Sequence, residues 1–179
     1  MNSLVVPRLG AGERFALRPW ELGDVDAVRE ASMDPYIPLI TSVPSPYTEE
    51  EGAAFVRRQW DRAATGTGYS FAIAGLAAGR AVGQIGLWPG AHGRATVGYW
   101  VAASARGQGV AVAALAAVSA WGLAELRIPR LELHVEPWNV GSWKAAERAG
   151  FAREGLLRSW QEIGGERRDM YVYSKLALT

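Results

Sequence analysis

A turn with two glycines near the middle of the chain has the composition of an anion-binding loop. Residues 105–112 read ARGQGVAV, and they follow the β-prone run VGYWV at 97–101. They also open an alanine-rich stretch from Val110 to Leu126, which has no proline and no charge before Glu125. This pattern predicts a strand, a turn and a helix. Because a helix N-terminus exposes unpaired N–H groups and glycine lets a ligand approach the backbone, we expect a pyrophosphate to bind at 106–112.

Two well-known phosphate loops do not fit these residues. A Walker loop ends in Gly-Lys-Ser or Gly-Lys-Thr, and the chain contains neither triplet. A dinucleotide-binding fingerprint would need a third glycine where this chain has Val112. What remains is the pattern Arg-x-x-Gly-x-Ala over residues 106–111.

That pattern resembles the acetyl-CoA loop of the GNAT superfamily of N-acetyltransferases. Downstream, HVEPWNVGS at 134–142 and AERAGF at 146–151 look like the family's block of strand, Asn-x-x-Ser, helix and Gly-Phe. The chain continues with REGLLR at 153–158 and RDMYVYS at 168–174. With VGYW at 97–100, this ordered set is similar to the RimJ/RimL-type subgroup, which acetylates α-amino groups of ribosomal proteins and, in other members, small amines. The resemblance covers residues 12–176.

Hydrophobic patterning and turn residues predict an α/β (α+β) fold, with a mixed, mostly antiparallel central sheet and helices on both faces. Four prolines exclude regular structure from 33–47, whereas Asp24 is expected to cap one helix and Thr48-x-x-Glu51 to form a capping box at the next. The resulting order, β-α-α-β-β-β-α-β-α-β-β, is also the GNAT order, and the resemblance implies that the fourth and fifth strands splay apart. The predicted strands are 13–18, 69–74, 81–88, 96–101, 130–135, 151–158 and 167–176, and the helices are 24–32, 48–64, 110–126 and 140–148.

Composition narrows the function further. A chain of 179 residues with 49% hydrophobic content is expected to form one domain, residues 1–179, and a net charge of +1 implies no nucleic-acid partner. The sequence has no long apolar run or basic leader, so we expect no membrane span and a cytoplasmic location. Zero cysteines and two histidines leave neither a thiolate nucleophile nor a cysteine- or histidine-based metal site, and we expect no metal.

The resemblance implies which residues hold acetyl-CoA, the expected cosubstrate. The pantetheine arm would pair with the backbone of the fourth strand as an added strand. Asn139 would touch the same arm, and it is independently the expected N-cap of the helix at 140. The strand residues implied are Trp100, Val101 and Ala102, and the pyrophosphate residues are Arg106, Gly107, Gln108, Gly109, Val110, Ala111 and Val112.

Ser142 is the first catalytic candidate. The resemblance places its hydroxyl beside the CoA sulfur, where it would donate a hydrogen bond to the departing thiolate. The alternative is a serine in the first helical turn that is satisfied by the backbone.

The second catalytic candidate is a base for the amine. RimL-like chains commonly carry Glu two residues before the Gly-Tyr pair, and this chain has Thr96 there. Glu136 is the substitute candidate, and a solvated surface glutamate is the alternative. Neutralising a lysine amine at pH 7.5 costs about 4 kcal/mol and an α-amine only about a few tenths, so a weak base favours an α-amine.

The acceptor pocket is expected to be aromatic. Tyr36, Trp88, Trp138 and Trp160 lie in or beside loops, although most of the eight tryptophans are expected to be core or edge residues. Asp169 is either an acceptor-site anion or part of a structural hydrogen bond. These residues predict transfer of acetyl to a primary amine, either an α-amino group of a protein or peptide or a small-molecule amine. The alternative is an inactive acyl-CoA-binding or regulatory module. The oligomeric state is left open, a homodimer included.

Overall fold

The computed structural model describes residues 3–177 and is built around a single eight-stranded sheet. The strand order is β1-β2-β3-β4-β5-β6-β8-β7, and every neighbouring pair is antiparallel except β5 and β6. The predicted mixed, mostly antiparallel sheet is therefore confirmed. The strands are β1 (Leu9–Ala11), β2 (Phe15–Arg18), β3 (Tyr69–Gly75), β4 (Ala81–Pro89), β5 (Arg94–Val101), β6 (Arg130–Val135), β7 (Ala152–Ile163) and β8 (Glu166–Leu176).

Helices cover both faces of this sheet. The first three pack on one face, where Phe55 and Val28 meet Trp100 of β5 in one apolar cluster. The last two pack on the other face, where Leu115 and Ala146 join the larger cluster. The helices are α1 (Val25–Ser32), α2 (Ile37–Ile40), α3 (Glu49–Ala64), α4 (Val110–Ala124) and α5 (Val140–Arg148).

Local capping chemistry explains where two helices begin. The Thr48 hydroxyl accepts a hydrogen bond from the Glu51 amide at 3.1 Å, as the capping-box pattern predicts for α3. Asn139 Oδ1 likewise accepts from the Ser142 amide at 3.2 Å and caps α5. Asp24 stands at the N-cap position of α1, as predicted, but its side chain makes no capping hydrogen bond to that helix. Its buried carboxylate instead forms a two-pronged ion pair with Arg18 at 2.7 and 2.8 Å and accepts a hydrogen bond from the Glu21 amide at 2.9 Å, because a buried guanidinium needs a counter-ion.

Two short elements were missed by the sequence patterns. β1 has three residues and gains its order by pairing with β2, which no local signal records. α2 lies inside the proline-rich segment that was wrongly expected to lack regular structure. Asp34 Oδ1 accepts hydrogen bonds from the Tyr36 and Ile37 amides, and Pro38 falls in the first turn, where a helix needs no N–H donor.

The sheet opens between its two parallel strands. β5 and β6 pair over three positions, Arg94 with Arg130, Ala95 with Leu131 and Thr96 with Glu132. Beyond Thr96, β5 follows β4 as far as Val101, while β6 follows β8 to its end. The sequence patterns did not predict β1, so β5 and β6 are the fourth and fifth of the predicted strands. The predicted separation of these two strands is therefore confirmed.

Candidate active site

A cavity of about 1050 Å³ occupies the opening between β5 and β6. Its walls come from both faces of the sheet. Four of the predicted site residues, Ala102, Gln108, Trp160 and Asp169, are not among its lining residues. The predicted residues that do line it are Tyr36, Trp88, Trp100, Val101, Arg106, Gly107, Gly109, Val110, Ala111, Val112, Glu136, Trp138, Asn139 and Ser142.

One end of the cavity is the glycine turn that leads into α4. Gly107 and Gly109 have φ angles of 74° and 82°, a region that favours glycine, and Gly109 is the N-cap of α4. A Cβ at either position would meet nothing within 4 Å, so the space in front of the turn is open. In the described chain, the N–H groups of 107–112 have no backbone acceptor. These features fit an anionic group of the size and charge of a pyrophosphate.

The backbone of β5 offers a second set of groups, which have no strand partner beyond Thr96. The Ala102 amide donates to Val82 O at 2.9 Å, which commits Ala102 to β4. Because backbone groups alternate in direction along a strand, those of Tyr99 and Val101 point into the opening. Arg106 Nε donates to Val101 O at 3.2 Å, which is consistent with that direction. Tyr99 was not predicted as a site residue, although the two-residue period of the strand could have identified it.

Ser142 lies half-buried in the first turn of α5 with its hydroxyl free. Its amide donates to Asn139 Oδ1 at 3.2 Å and to Asn139 O at 3.0 Å, whereas its Oγ makes no hydrogen bond within residues 3–177. The Tyr99 hydroxyl lies 3.5 Å from Ser142 O, and burial raises the pKa of Tyr99. The site therefore presents two neutral hydroxyl groups from neighbouring elements.

Glu136 is buried rather than solvated. Only 4% of the residue is exposed, which contradicts the surface alternative. The Tyr36 hydroxyl donates to Glu136 Oε2, and Arg168 Nε lies 3.9 Å from Oε1. Burial and the Glu136 carboxylate raise the pKa of Tyr36, so this phenol remains a donor at neutral pH. The Trp138 ring meets Tyr36 edge-on at 4.9 Å and closes the aromatic side of the cavity.

An ion pair links the glycine turn to the loop that carries Tyr36. Arg106 donates to Asp34 Oδ2 at 2.6 Å, and the other Asp34 oxygen holds the Tyr36 and Ile37 amides at 2.8 and 3.0 Å. Burial opposes ionisation of Asp34, but these hydrogen bonds and the guanidinium outweigh it and lower its pKa. Asp34 was missed by sequence reasoning, since its partner Arg106 is 72 residues away.

Trp160 and Asp169 lie outside the cavity lining. Trp160 stacks on His134 with ring centroids 5.7 Å apart, and His134 lines the cavity. Burial lowers the pKa of His134. Asp169 Oδ1 accepts a hydrogen bond from the Ser159 amide at 2.7 Å, where Ser159 has a φ of 49°. This geometry agrees with the structural alternative for Asp169.

No helix within 3–177 is long and apolar enough to cross a membrane. In the same part of the chain, no three His, Cys, Asp or Glu side chains come together as a metal ion would require.

A sheet opened between two parallel strands, with a helix N-terminus facing the opening, is the arrangement expected from the resemblance to the GNAT superfamily. The chain belongs to the GNAT acetyltransferase family, because the model of the acetyltransferase (GNAT) domain matches residues 14–152. The protein is thus an N-acetyltransferase with RimJ- and RimL-type structural neighbours.

Three relatives show the extent of the similarity. The chain is 29% identical over 167 residues to the uncharacterized N-acetyltransferase p20 of Bacillus licheniformis, covering 92% of this chain and 93% of p20. RimJ of Mycobacterium smegmatis, solved with CoA-disulfide, has a TM-score of 0.79 and 29% identity over 96% of this chain and 87% of that one. RimL, a ribosomal L7/L12 alpha-N-protein acetyltransferase solved with coenzyme A, shares the fold with a TM-score of 0.77 and 19% identity, covering 95% of this chain and 98% of RimL.

Proposed function

We propose that this protein transfers an acetyl group from acetyl-CoA directly to a primary amine, and that the amine is an α-amino group of a peptide, a protein or a small molecule. The observation that carries the proposal is a single cavity with an anion-binding turn at one end and the buried carboxylate of Glu136 beside the opened strands. Acetyl-CoA supplies an activated thioester when it is bound.

The proposal assigns binding roles to backbone groups. The free N–H groups of 107–112 would hold the pyrophosphate, and Asn139 borders the same opening. The backbones of Tyr99 and Val101 would pair with the pantetheine arm as a strand would.

Glu136 and Ser142 take the two proton roles. Glu136 accepts the proton of the amine, either directly or through a water molecule, because it is the buried carboxylate of the cavity. Ser142 donates a hydrogen bond to the departing thiolate, and its hydroxyl is free to do so. A thiolate whose conjugate acid has a pKa of about 8.5 needs only partial assistance to leave.

An α-amine is the favoured acceptor. Its low pKa leaves a neutral fraction near pH 7.5 that a lysine amine lacks. The motifs that resemble the RimJ/RimL-type subgroup support the same class of acceptor. Three expectations stay predictions: a cytoplasmic location, a homodimer, and a single domain over residues 1–179. Residues 1–2 and 178–179 lie outside the described part of the chain.

The proposal is tested by incubating the purified protein with acetyl-CoA and a panel of amines while free CoA is measured. The panel pairs each α-amine with a lysine-type ε-amine of similar size. We expect CoA release that depends on the amine and is faster for the α-amine. Tight binding of acetyl-CoA with no release for any amine would indicate the inactive binding module instead.

A further inference from the structure

The acceptor would enter the cavity from the face of the sheet that carries α1 and α3, because α4, with the glycine turn at its N-terminus, packs on the other face. Trp100 packs there against Trp20 and Phe55, so by alternation Gly98 and Thr96 point to the same face. Thr96 pairs with Trp88 on β4, and Thr96 and Val101 lie about 17 Å apart along β5 at 3.3 Å per residue. The Trp88 end is therefore the end distant from the glycine turn.

Trp88 forms a rigid floor at that end. A Cβ on Gly86 would lie 2.2 Å from the Trp88 ring, and one on Gly98 would lie 3.2 Å from it. The ring therefore lies flat over two residues without side chains. It lines the cavity and supports the guanidinium of Arg62, whose carbon is 5.8 Å from the ring centroid.

Arg62 brings a positive charge into the cavity without a carboxylate to balance it. It is half-buried, and Nη2 donates to Ser42 Oγ at 3.1 Å. Among residues 3–177, no acidic oxygen lies within 4.0 Å of Arg62. Burial, and then the charge of Arg58, lower its pKa, as expected for a cation without a counter-ion. By contrast, Arg106 in the same cavity is paired with Asp34.

Lys144 and Arg148 also line the cavity without an acidic partner in the described structure, but both are exposed to solvent. The cavity thus holds a buried carboxylate at Glu136 and, at Arg62, a half-buried guanidinium without a counter-ion. An acceptor that carries no negative charge would leave Arg62 half-buried and without a counter-ion, which is unfavourable. We propose that the natural acceptor is an amine of amino-acid or peptide type with a free carboxylate, and that Arg62 binds this carboxylate. Ser42 Oγ accepts from Arg62 and has its own proton to offer the same group. The inference rests on the proposed function and specifies its acceptor.

Alanine, dialanine and trialanine, each compared with its C-terminal amide, test this inference, because each pair differs only in the terminal carboxylate. We expect at least one acid to exceed its amide about tenfold in kcat/KM, mainly through KM. Arg62→Gln should lower kcat/KM for the acid more than for its amide and so remove the preference, while Arg62→Lys should keep part of it.

Arg58 provides the matched control. It lies one turn earlier on α3, donates to Ser42 O at 3.1 Å and has Glu51 3.9 Å away, but it does not line the cavity. Arg58→Gln should keep the preference. Equal rates for acids and amides in the wild type, or an equal loss for both in Arg62→Gln, would overturn the inference.

Binding separates this inference from the proposed function. The same acids and amides are titrated by calorimetry into wild type and Arg62→Gln, each saturated with CoA. Preferential binding of the acid without turnover would refute the proposed transfer and retain the Arg62 assignment. Turnover with no preference for the acid over the amide, in either rate or binding, would support the proposed transfer and refute the Arg62 assignment.

Discussion

The two catalytic candidates, Glu136 and Ser142, lie in different environments. Glu136 is 4% exposed and held by the Tyr36 hydroxyl, so its carboxylate is fixed in position. Ser142 is half-buried, and its Oγ has no partner in the described structure. A buried, oriented carboxylate suits proton removal, and an uncommitted hydroxyl suits transient donation to a leaving group.

Ser142→Ala should lower kcat by about tenfold to a few hundredfold, or about 1.4 to 3 kcal/mol. The acetyl-CoA dissociation constant should stay within a few-fold, because the hydrogen bond strengthens mainly as charge develops on sulfur. The melting temperature should barely change, since Oγ makes no intramolecular bond within residues 3–177. Rates and melting curves on one preparation check this prediction. A destabilised variant with full kcat would remove Ser142 from the mechanism.

Glu136→Gln should lower kcat about a hundredfold or more, the range found when a general base is lost. Glutamine keeps the shape of the side chain and can still accept from the Tyr36 hydroxyl, so the fold and acetyl-CoA affinity should persist. Tyr36→Phe is the matched control, because it removes the hydrogen bond and leaves the carboxylate; its loss should be smaller. If Glu136→Gln retained wild-type kcat with an α-amine, another group or solvent would be the base.

Local signals predicted some elements well, and tertiary pairing decided the others. Thr48 and Asn139 cap their helices through neighbouring amides, so a short pattern is enough to find them. Asp24 also stands at an N-cap position, but its carboxylate is bonded to Arg18 of β2 and caps no amide of α1. The Asp34–Arg106 pair and β1 likewise depend on contacts between distant segments, which no local pattern encodes.

The glycine turn yields a test at the level of one element. Gly109→Glu should abolish measurable acetyl-CoA binding by calorimetry, because a carboxylate would stand before the free N–H groups of the turn. Gly109→Ala is the control. Its Cβ meets nothing within 4 Å, but the φ of 82° makes it strained by about 1 kcal/mol. Alanine should therefore lower stability more than affinity. A folded Glu variant with unchanged affinity would refute the site.

The Asp34–Arg106 link predicts a pH-dependent contribution to stability. Because the pKa of Asp34 is lowered on folding, its ionised form stabilises the protein above the unfolded value of about 3.9. That contribution is lost as pH falls through the folded pKa. Asp34→Asn keeps the acceptor for the Tyr36 and Ile37 amides and loses only the charge.

Urea unfolding of wild type and Asp34→Asn measures this contribution. The difference in unfolding free energy should be largest at neutral pH and shrink as pH falls below about 4. Asp26→Asn is the comparison, because Asp26 pairs with Arg29 on an exposed surface and should contribute little. A difference between wild type and Asp34→Asn that stays constant with pH would show that the ion pair does not contribute.

At the scale of the whole molecule, the cavity joins parts that the sequence keeps far apart. The turn at 106–112 and Ser142 were predicted because each belongs to a recognisable motif. Arg62 was not predicted, because a single arginine on an amphipathic helix is usually a solvated residue. Only the packing of α3 over Trp88 brings it into the cavity. Motifs therefore indicated the cofactor side, and aromatic residues beside loops indicated part of the acceptor pocket, whereas Arg62 could be found only from the assembled fold.

The same assembly determines the kinetic order of the reaction. The chain has no cysteine, and Ser142 has no histidine or carboxylate bonded to its hydroxyl in the described structure, so no nucleophile is activated to carry the acetyl group. The cavity reaches both faces of the sheet, so both substrates can be present together. We therefore predict transfer within a ternary complex, with intersecting rather than parallel initial-rate plots. Mass spectrometry of the protein mixed with acetyl-CoA alone should show no added acetyl group. An acetylated enzyme that passed its acetyl group to the amine at the turnover rate would contradict direct attack, and loss of that species in Ser142→Ala would identify the serine as a nucleophile.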